Sequence, residues 1–158
     1  MGIMEFFNKK KIDKTTTNKE VCFEDEFTDI QSGLISLCLE LTDSQVDTVF
    51  AYCGIEDHSF MFNSFFEKDG TILSARQAAT DVSLVKEFLR IGTHDLENFK
   101  SVCTKWNKPI PRQIKMIYDV KTGKFDANIS YESRIPYELE GGNVFKEWFD
   151  KELSERTQ

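Results

Sequence analysis

Hydrophobic residues recur every three or four positions from residue 23 to residue 41, and this spacing predicts an amphipathic helix with one buried stripe. Two runs typical of β-strands follow, VDTVFAYC (46–53) and SFMFNSFF (59–66), with the polar segment GIEDH between them as the expected hairpin loop. The turn EKDG then leads into a short third strand at residues 71–73. Together these patterns predict three antiparallel strands in a meander.

A second helical pattern covers residues 81–106. Gly92 and Thr93 interrupt its spacing, so we expect a break or kink there. The segment NKPIP ends this helix, because a proline cannot continue it. Residues 143–153 repeat the helical spacing and predict a C-terminal helix, with Asn143 as its N-cap.

The most regular pattern in the chain is IKMIYDVKTGKFDANISYE, residues 114–132. Apolar and polar residues alternate on both sides of a turn in which Gly123 supplies a positive φ. One face of this hairpin is apolar, as in an antiparallel sheet that is covered on one side. We therefore expect Tyr118 and Tyr131 to pack in the core.

The order of these elements predicts an α+β fold: an antiparallel β-sheet, made of a meander and a C-terminal hairpin, with helices packed on one face. No linker or repeat divides the pattern. We expect a basic N-terminal extension at residues 1–20, followed by a single α+β domain at residues 21–158.

Composition supports a folded globule, since 40% of the 158 residues are hydrophobic and 13% are aromatic. The net charge of −7 disfavours a direct nucleic-acid partner, because such binding requires clustered lysine and arginine. An acidic domain is better suited to a basic protein partner, although ordinary housekeeping proteins can be equally acidic.

The cysteines form no CxxC pair, and neither His58 nor His94 has the spacing of a metal ligand. We therefore expect no metal site and no cofactor. The cysteines lie mostly within apolar patterns, which favours buried, reduced thiols and a cytoplasmic location. The four are Cys22, Cys38, Cys53 and Cys103.

The first 20 residues place their apolar positions before their lysines, which is not the order of a signal peptide. Phe6 stands where a myristoylation signal requires serine or threonine. The chain contains no run of about 18 apolar residues that could span a bilayer. We expect a soluble, cytoplasmic protein without a membrane partner.

Charge is distributed unevenly along the chain. Residues 21–67 contain ten acidic residues and no lysine or arginine, whereas residues 68–124 contain six acidic and eleven basic residues. Favourable interaction with the helix dipole explains Glu24, Asp25 and Glu26 in the first turn of the predicted helix. The remaining acids could form a solvated face or a surface that captures a basic partner. The candidate partner-binding residues are Asp29, Asp43, Asp47, Glu56, Asp57, Asp126, Glu132 and Glu138.

No catalytic residues are expected. The chain has no GxSxG nucleophile elbow, no phosphate-binding glycine loop and no calcium-binding loop. His58 falls in a predicted turn and His94 near a predicted helix start, so we interpret both as surface residues. The pattern favours a binding protein over an enzyme.

The run WNKPIPRQIKMIYDVKTGKFDANISYE, residues 106–132, resembles the YezG-like family of bacterial immunity proteins. The shared pattern is a long helix ending near a tryptophan, then an I-Y-D-V-x-T-G-K-F hairpin that closes on a Tyr-acid pair. The resemblance implies a small cytoplasmic α+β protein that binds and neutralises the C-terminal domain of a cognate toxin, often a nuclease of a polymorphic or contact-dependent inhibition system.

The resemblance thus implies stoichiometric occlusion of a basic toxin domain, for which an acidic surface would be suitable. It identifies no toxin-contact residues, because immunity interfaces diverge with their partners. The alternatives are a general intracellular adaptor domain, an immunity protein of another α+β family and, as the weakest hypothesis, a small enzyme.

Overall fold

The computed structural model of the protein describes residues 22–156. The predicted basic extension, residues 1–20, lies outside this range. The described helices are α1 (Phe23–Thr42), α2 (Ala75–Ala78), α3 (Val85–Lys105), α4 (Ile135–Leu139) and α5 (Val144–Arg156), with a 3-10 turn at Val82–Leu84. The strands are β1 (Thr48–Ile55), β2 (Phe60–Lys68), β3 (Thr71–Ser74), β4 (Gln113–Asp119) and β5 (Phe125–Ser130).

The five strands form one antiparallel sheet in the order β3-β2-β1-β4-β5. The predicted α+β class, the meander and the C-terminal hairpin are confirmed. The hairpin joins the meander through β4, which pairs with β1 so that Thr48 lies opposite Asp119 and Gly54 opposite Gln113. Strand β1 is therefore central, and β3 and β5 form the two edges.

The central strand is buried on both faces. Val49, Ala51 and Cys53 belong to the larger core, which includes the apolar stripes of α1 and α3. The alternate residues Phe50 and Tyr52 face the other way, into a smaller core with α5. Helices thus cover both faces of the sheet, whereas the sequence predicted helices on one face only.

The C-terminal helix α5 packs on the second face of the sheet through contacts between its aromatic side chains and those of the strands. Trp148 packs edge-on against Phe65 at 5.0 Å and against Phe50 at 5.8 Å between ring centroids. Phe149 also contacts Phe65 edge-on, at 5.3 Å. Edge-to-face pairs of this kind stabilise the fold by more than the burial of their apolar area alone would.

Helix α3 runs without a break through Gly92, contrary to the predicted kink. Gly92 is buried, and a Cβ atom added there would overlap the ring of Phe62 on β2. The glycine therefore permits close contact between helix and sheet, and the backbone stays helical.

Strand β1 extends two residues further than predicted, through Gly54 and Ile55. The predicted loop residue Gly54 is part of the sheet, opposite Met61 and Gln113, and its lack of a side chain leaves room for that of Arg134. A Cβ atom at Gly54 would lie 2.5 Å from Arg134 Nε.

The predicted hairpin turn is confirmed, with Gly123 at a φ of 75°. Across the hairpin Ile114 lies opposite Ile129, so the apolar residues of both strands share one face. Tyr118 packs against the larger core, as expected. Tyr131 is 57% exposed and not part of the core, because it follows the end of β5.

Three of the four cysteines are buried and unpaired, as predicted, and Cys22 is half-buried. Burial raises the pKa of Cys38 to about 12 and also raises the pKa of Cys53 and Cys103. These thiols are protonated at neutral pH and serve as core residues.

Gly92→Ala tests the contact between α3 and β2. Alanine in place of glycine at an exposed helical position stabilises by about 1 kcal/mol. Here the overlap with Phe62 makes the alanine destabilising. We expect the free energy of unfolding in urea to fall by about 1–3 kcal/mol. Asn98→Ala, at an exposed position on the same helix, is the control and is expected to be neutral or slightly stabilising.

The smaller side chain in Phe62→Leu should recover part of this loss in the Gly92→Ala background. A Gly92→Ala variant that is more stable than the natural protein would contradict the proposed close contact.

Candidate protein-binding surface

The eight predicted binding acids are distributed over the molecule and do not form one surface. Asp43, Asp47 and Asp126 lie towards the end of the sheet at which β1 begins, Glu56, Asp57, Glu132 and Glu138 lie at the end at which β1 finishes, and Asp29 is on the second turn of α1. Strand β1 is eight residues long, so the two ends are about 23 Å apart.

Several carboxylates converge at the end where β1 begins. They come from the loop before β1, from the end of β2 and the turn after it, and from the end of β4, and we call this group the acidic end. Its members are Asp43, Asp47, Glu67, Asp69 and Asp119. The five carboxylates outnumber the three exposed lysines nearby, so the net charge of the region is negative. These lysines are Lys68, Lys121 and Lys124.

Asp47 connects the three segments of the acidic end. Its backbone N–H donates to Glu67 O at 2.8 Å, and its backbone oxygen accepts from Val120 N at 2.9 Å. Its carboxylate accepts from Asp69 N at 2.8 Å. The Asp47 carboxylate is therefore held against the backbone of the turn between β2 and β3.

Hydrogen bonds also fix two other acids of this group. Glu67 accepts from Thr48 Oγ1 at 2.8 Å, and Asp119 accepts from the backbone N–H of Thr122 at 3.0 Å. The hydrogen bonds from Thr122 lower the pKa of Asp119, which favours its charged form. The sequence alone did not identify Asp69 or Asp119, because both fall in the segment where basic residues predominate.

Glu56 lies inside the protein. The prediction placed it among the partner-binding acids, but it is only 6% exposed. Its carboxylate accepts from Ser133 Oγ at 2.7 Å and from Arg134 N at 3.2 Å. Glu56 therefore attaches the segment after β5 to the end of β1.

Arg134 is the cation of this buried network. It is 8% exposed, its Nε lies 3.8 Å from Glu56 Oε2, and its Nη1 donates to Glu138. Glu138 in turn accepts from Val144 N at 3.0 Å, at the start of α5. The predicted acid Glu138 thus has a structural role, because it links Arg134 to the first turn of α5.

Asp57 is exposed but already paired within the chain. It accepts from Arg112 Nη1 at 2.9 Å, and this hydrogen bond lowers the pKa of Asp57. Lys100 Nζ also donates to the backbone oxygen of Asp57 at 3.1 Å. These two cations reduce the negative potential that Asp57 presents to a partner.

Asp126 and Glu132 are exposed on β5 and just beyond it, and Asp29 is half-buried on α1. Asp126 borders a groove of about 530 Å³ between the sheet and α5, which also contains Lys115 and Lys151. Because charges of both signs line this groove, it does not extend the acidic end.

Strand β5 and α4 carry most of the exposed large hydrophobic side chains. Of the seven among the described residues, five lie between residues 125 and 139. They are Phe125, Ile129, Tyr131, Tyr137 and Leu139. The alternation of the hairpin identified the first three as apolar but predicted a covered face. Phe125 and Ile129 share one face of β5, where part of each apolar side chain is exposed to solvent.

Among residues 22–156, no group of three or more histidine, cysteine or acidic side chains is placed to hold a metal ion. His58 is exposed in the loop before β2, and His94 is exposed on α3 with its Nδ1 3.5 Å from Glu97. No helix in the described part of the chain has the length and apolar character needed to cross a bilayer.

No protein-family model matches this chain, and a search of curated proteins finds no significant match. The resemblance to YezG-like proteins therefore stays a prediction from residues 106–132.

Arg134→Met tests the buried network. We expect it to lower the free energy of unfolding by about 3–5 kcal/mol, because it leaves the buried carboxylate of Glu56 and the half-buried carboxylate of Glu138 without their cation. The control is Lys146→Met, which removes an exposed ion pair with Asp150 and should cost less than about 1 kcal/mol. Equal losses in the two variants, measured by urea unfolding, would contradict the role assigned to Arg134.

Proposed function

We propose that this protein is an immunity protein that binds the C-terminal domain of a bacterial toxin in the cytoplasm and neutralises it by stoichiometric occlusion. The convergence of carboxylates from three separate segments at the acidic end carries this proposal. The resemblance of residues 106–132 to YezG-like immunity proteins supplies the class of partner.

The acidic end suits a basic partner because its carboxylates are held in place before binding. Asp47 and Glu67 each accept a hydrogen bond from another segment, and Asp119 accepts one from the turn that follows it. Groups ordered in the free protein lose less conformational entropy on association. The cleft with which a nuclease holds nucleic acid is positively charged, and a fixed set of carboxylates can occupy it as the phosphates do.

Charge also affects the rate of capture. Complementary potentials steer partners together over a Debye length of about 8 Å at physiological ionic strength. An immunity protein must bind its toxin faster than the toxin reaches its target, so a high association rate serves the proposed function directly. Binding alone is sufficient for this role.

Co-expression is the primary test. The toxin domain encoded beside this gene should stop growth when expressed alone and should be harmless when expressed with this protein, and the purified proteins should form a complex of equal stoichiometry. A toxin that still kills, together with purified proteins that do not associate, would refute the proposal. Recovery of a housekeeping complex instead would favour a general adaptor.

The acidic end is tested by replacing Asp43, Asp47 and Asp69 together with asparagine. Asparagine keeps an oxygen acceptor at Asp47, and it tolerates the positive φ of 52° at Asp43 and 51° at Asp69. We expect the association rate constant with the toxin domain to fall about tenfold at low salt and to depend less on ionic strength, as measured by stopped-flow fluorescence.

The control variant removes three charges elsewhere through Glu140→Gln, Asp150→Asn and Glu155→Gln. It has the same net charge as the asparagine variant, so a general charge effect would slow both equally. Equal association rates for the two variants would place the interface away from the acidic end.

A further inference from the structure

Strand β5 presents unpaired backbone groups at the edge of the sheet. Hydrogen-bonded pairs alternate along an antiparallel ladder, and Asp119 N donates to Lys124 O at 2.9 Å in the first pair beside the turn. By this alternation, Asp126 and Asn128 direct their N–H and C=O groups towards β4. Phe125, Ala127 and Ile129 direct theirs outward, where no strand of the described chain lies.

The side chains of these three residues are all exposed, and no strand of the described chain pairs with this edge. A long edge with unpaired N–H and C=O groups is a template for another strand. The edge of β5 lacks two of the usual protections, since it contains no proline and no bulge, and its apolar face includes Phe125 and Ile129.

We propose that a second copy of this chain pairs with β5 in antiparallel orientation, about a two-fold axis that passes through Ala127. The two sheets then form one continuous ten-stranded sheet. In this register Ala127 lies opposite Ala127 of the second copy, and Phe125 lies opposite Ile129. All three outward-facing residues of each copy form backbone hydrogen bonds.

Side-chain chemistry selects this register. Asp126 lies opposite Asn128, which can donate a hydrogen bond to a carboxylate. Moving the axis to Asp126 would place two carboxylates directly opposite each other, which is destabilising. Moving it to Asn128 would pair Phe125 with Tyr131, beyond the end of the strand, and would leave one outward residue without a strand partner.

The interface is isologous, because each copy contributes the same residues. Opposite residues in an antiparallel pair share a face, so Phe125 and Ile129 of both copies form one apolar patch across the axis. The side chains of Asp126 and Asn128 lie on the other face. This dimer goes beyond the proposed function and does not depend on the acidic end.

Sedimentation of the full-length protein at increasing concentration tests the proposal. We expect a species of twice the 18.3 kDa monomer mass. Ala127→Glu and Ala127→Lys should each halve that mass, because each places like charges opposite each other at the axis. An equimolar mixture of the two variants should restore the dimer, since opposite charges then face each other.

Leu139→Glu is the control, because Leu139 is 82% exposed but lies outside β5, and this variant should remain dimeric. A natural protein that is monomeric at all concentrations would overturn the proposal and leave the edge for a strand of another protein. A dimer that persists in both Ala127 variants would also overturn it, because the interface would lie elsewhere.

Hydrogen exchange measured by NMR provides an independent readout. The amide protons of Phe125, Ala127 and Ile129 should exchange slowly in the dimer and rapidly in Ala127→Glu. Those of Asp126 and Asn128 should be protected in both proteins, because they face β4. Rapid exchange at all three outward amides in a dimeric sample would refute pairing through β5.

Discussion

The structure depends on the burial of β1 on both of its faces. Residues Val49–Cys53 are each 2% exposed or less, and their side chains alternate between two cores. A strand in this position requires a paired strand at each edge and a cover on each face. The pairing with β2 and β4, the packing of α1 and α3 on one face and the packing of α5 on the other all satisfy this requirement.

This arrangement determines which polar groups remain available for recognition. Where β1 ends, a buried network of Glu56, Arg134 and Glu138 attaches the chain after β5 to the sheet. Arg134 offsets one of its two negative charges within the protein. Where β1 begins, the turns are open to solvent, and their carboxylates accept hydrogen bonds mainly from backbone N–H groups, which leave the negative charge in place. The two ends therefore have different roles, although both are rich in acidic residues.

Local patterns predicted most of the fold. Three- and four-residue spacing located α1, α3 and α5, and the alternation around Gly123 gave the β4–β5 hairpin, because these signals depend only on neighbours in the chain. The predicted break at Gly92 was wrong, because the glycine makes room for the ring of Phe62, a residue distant in sequence. The prediction of Glu56 as a surface acid was wrong, because its hydrogen-bond partners Ser133 and Arg134 lie 77 and 78 residues away in the sequence.

The sequence by itself determined the α+β class, the order of the elements, the reduced cysteines of the core and the excess of acidic residues between positions 21 and 67. The tertiary structure alone decided which acids are buried, which converge at one end of the sheet, and that β5 remains an open edge. The physical reason is that periodicity describes one element at a time, whereas burial and electrostatic potential depend on which distant elements are brought together.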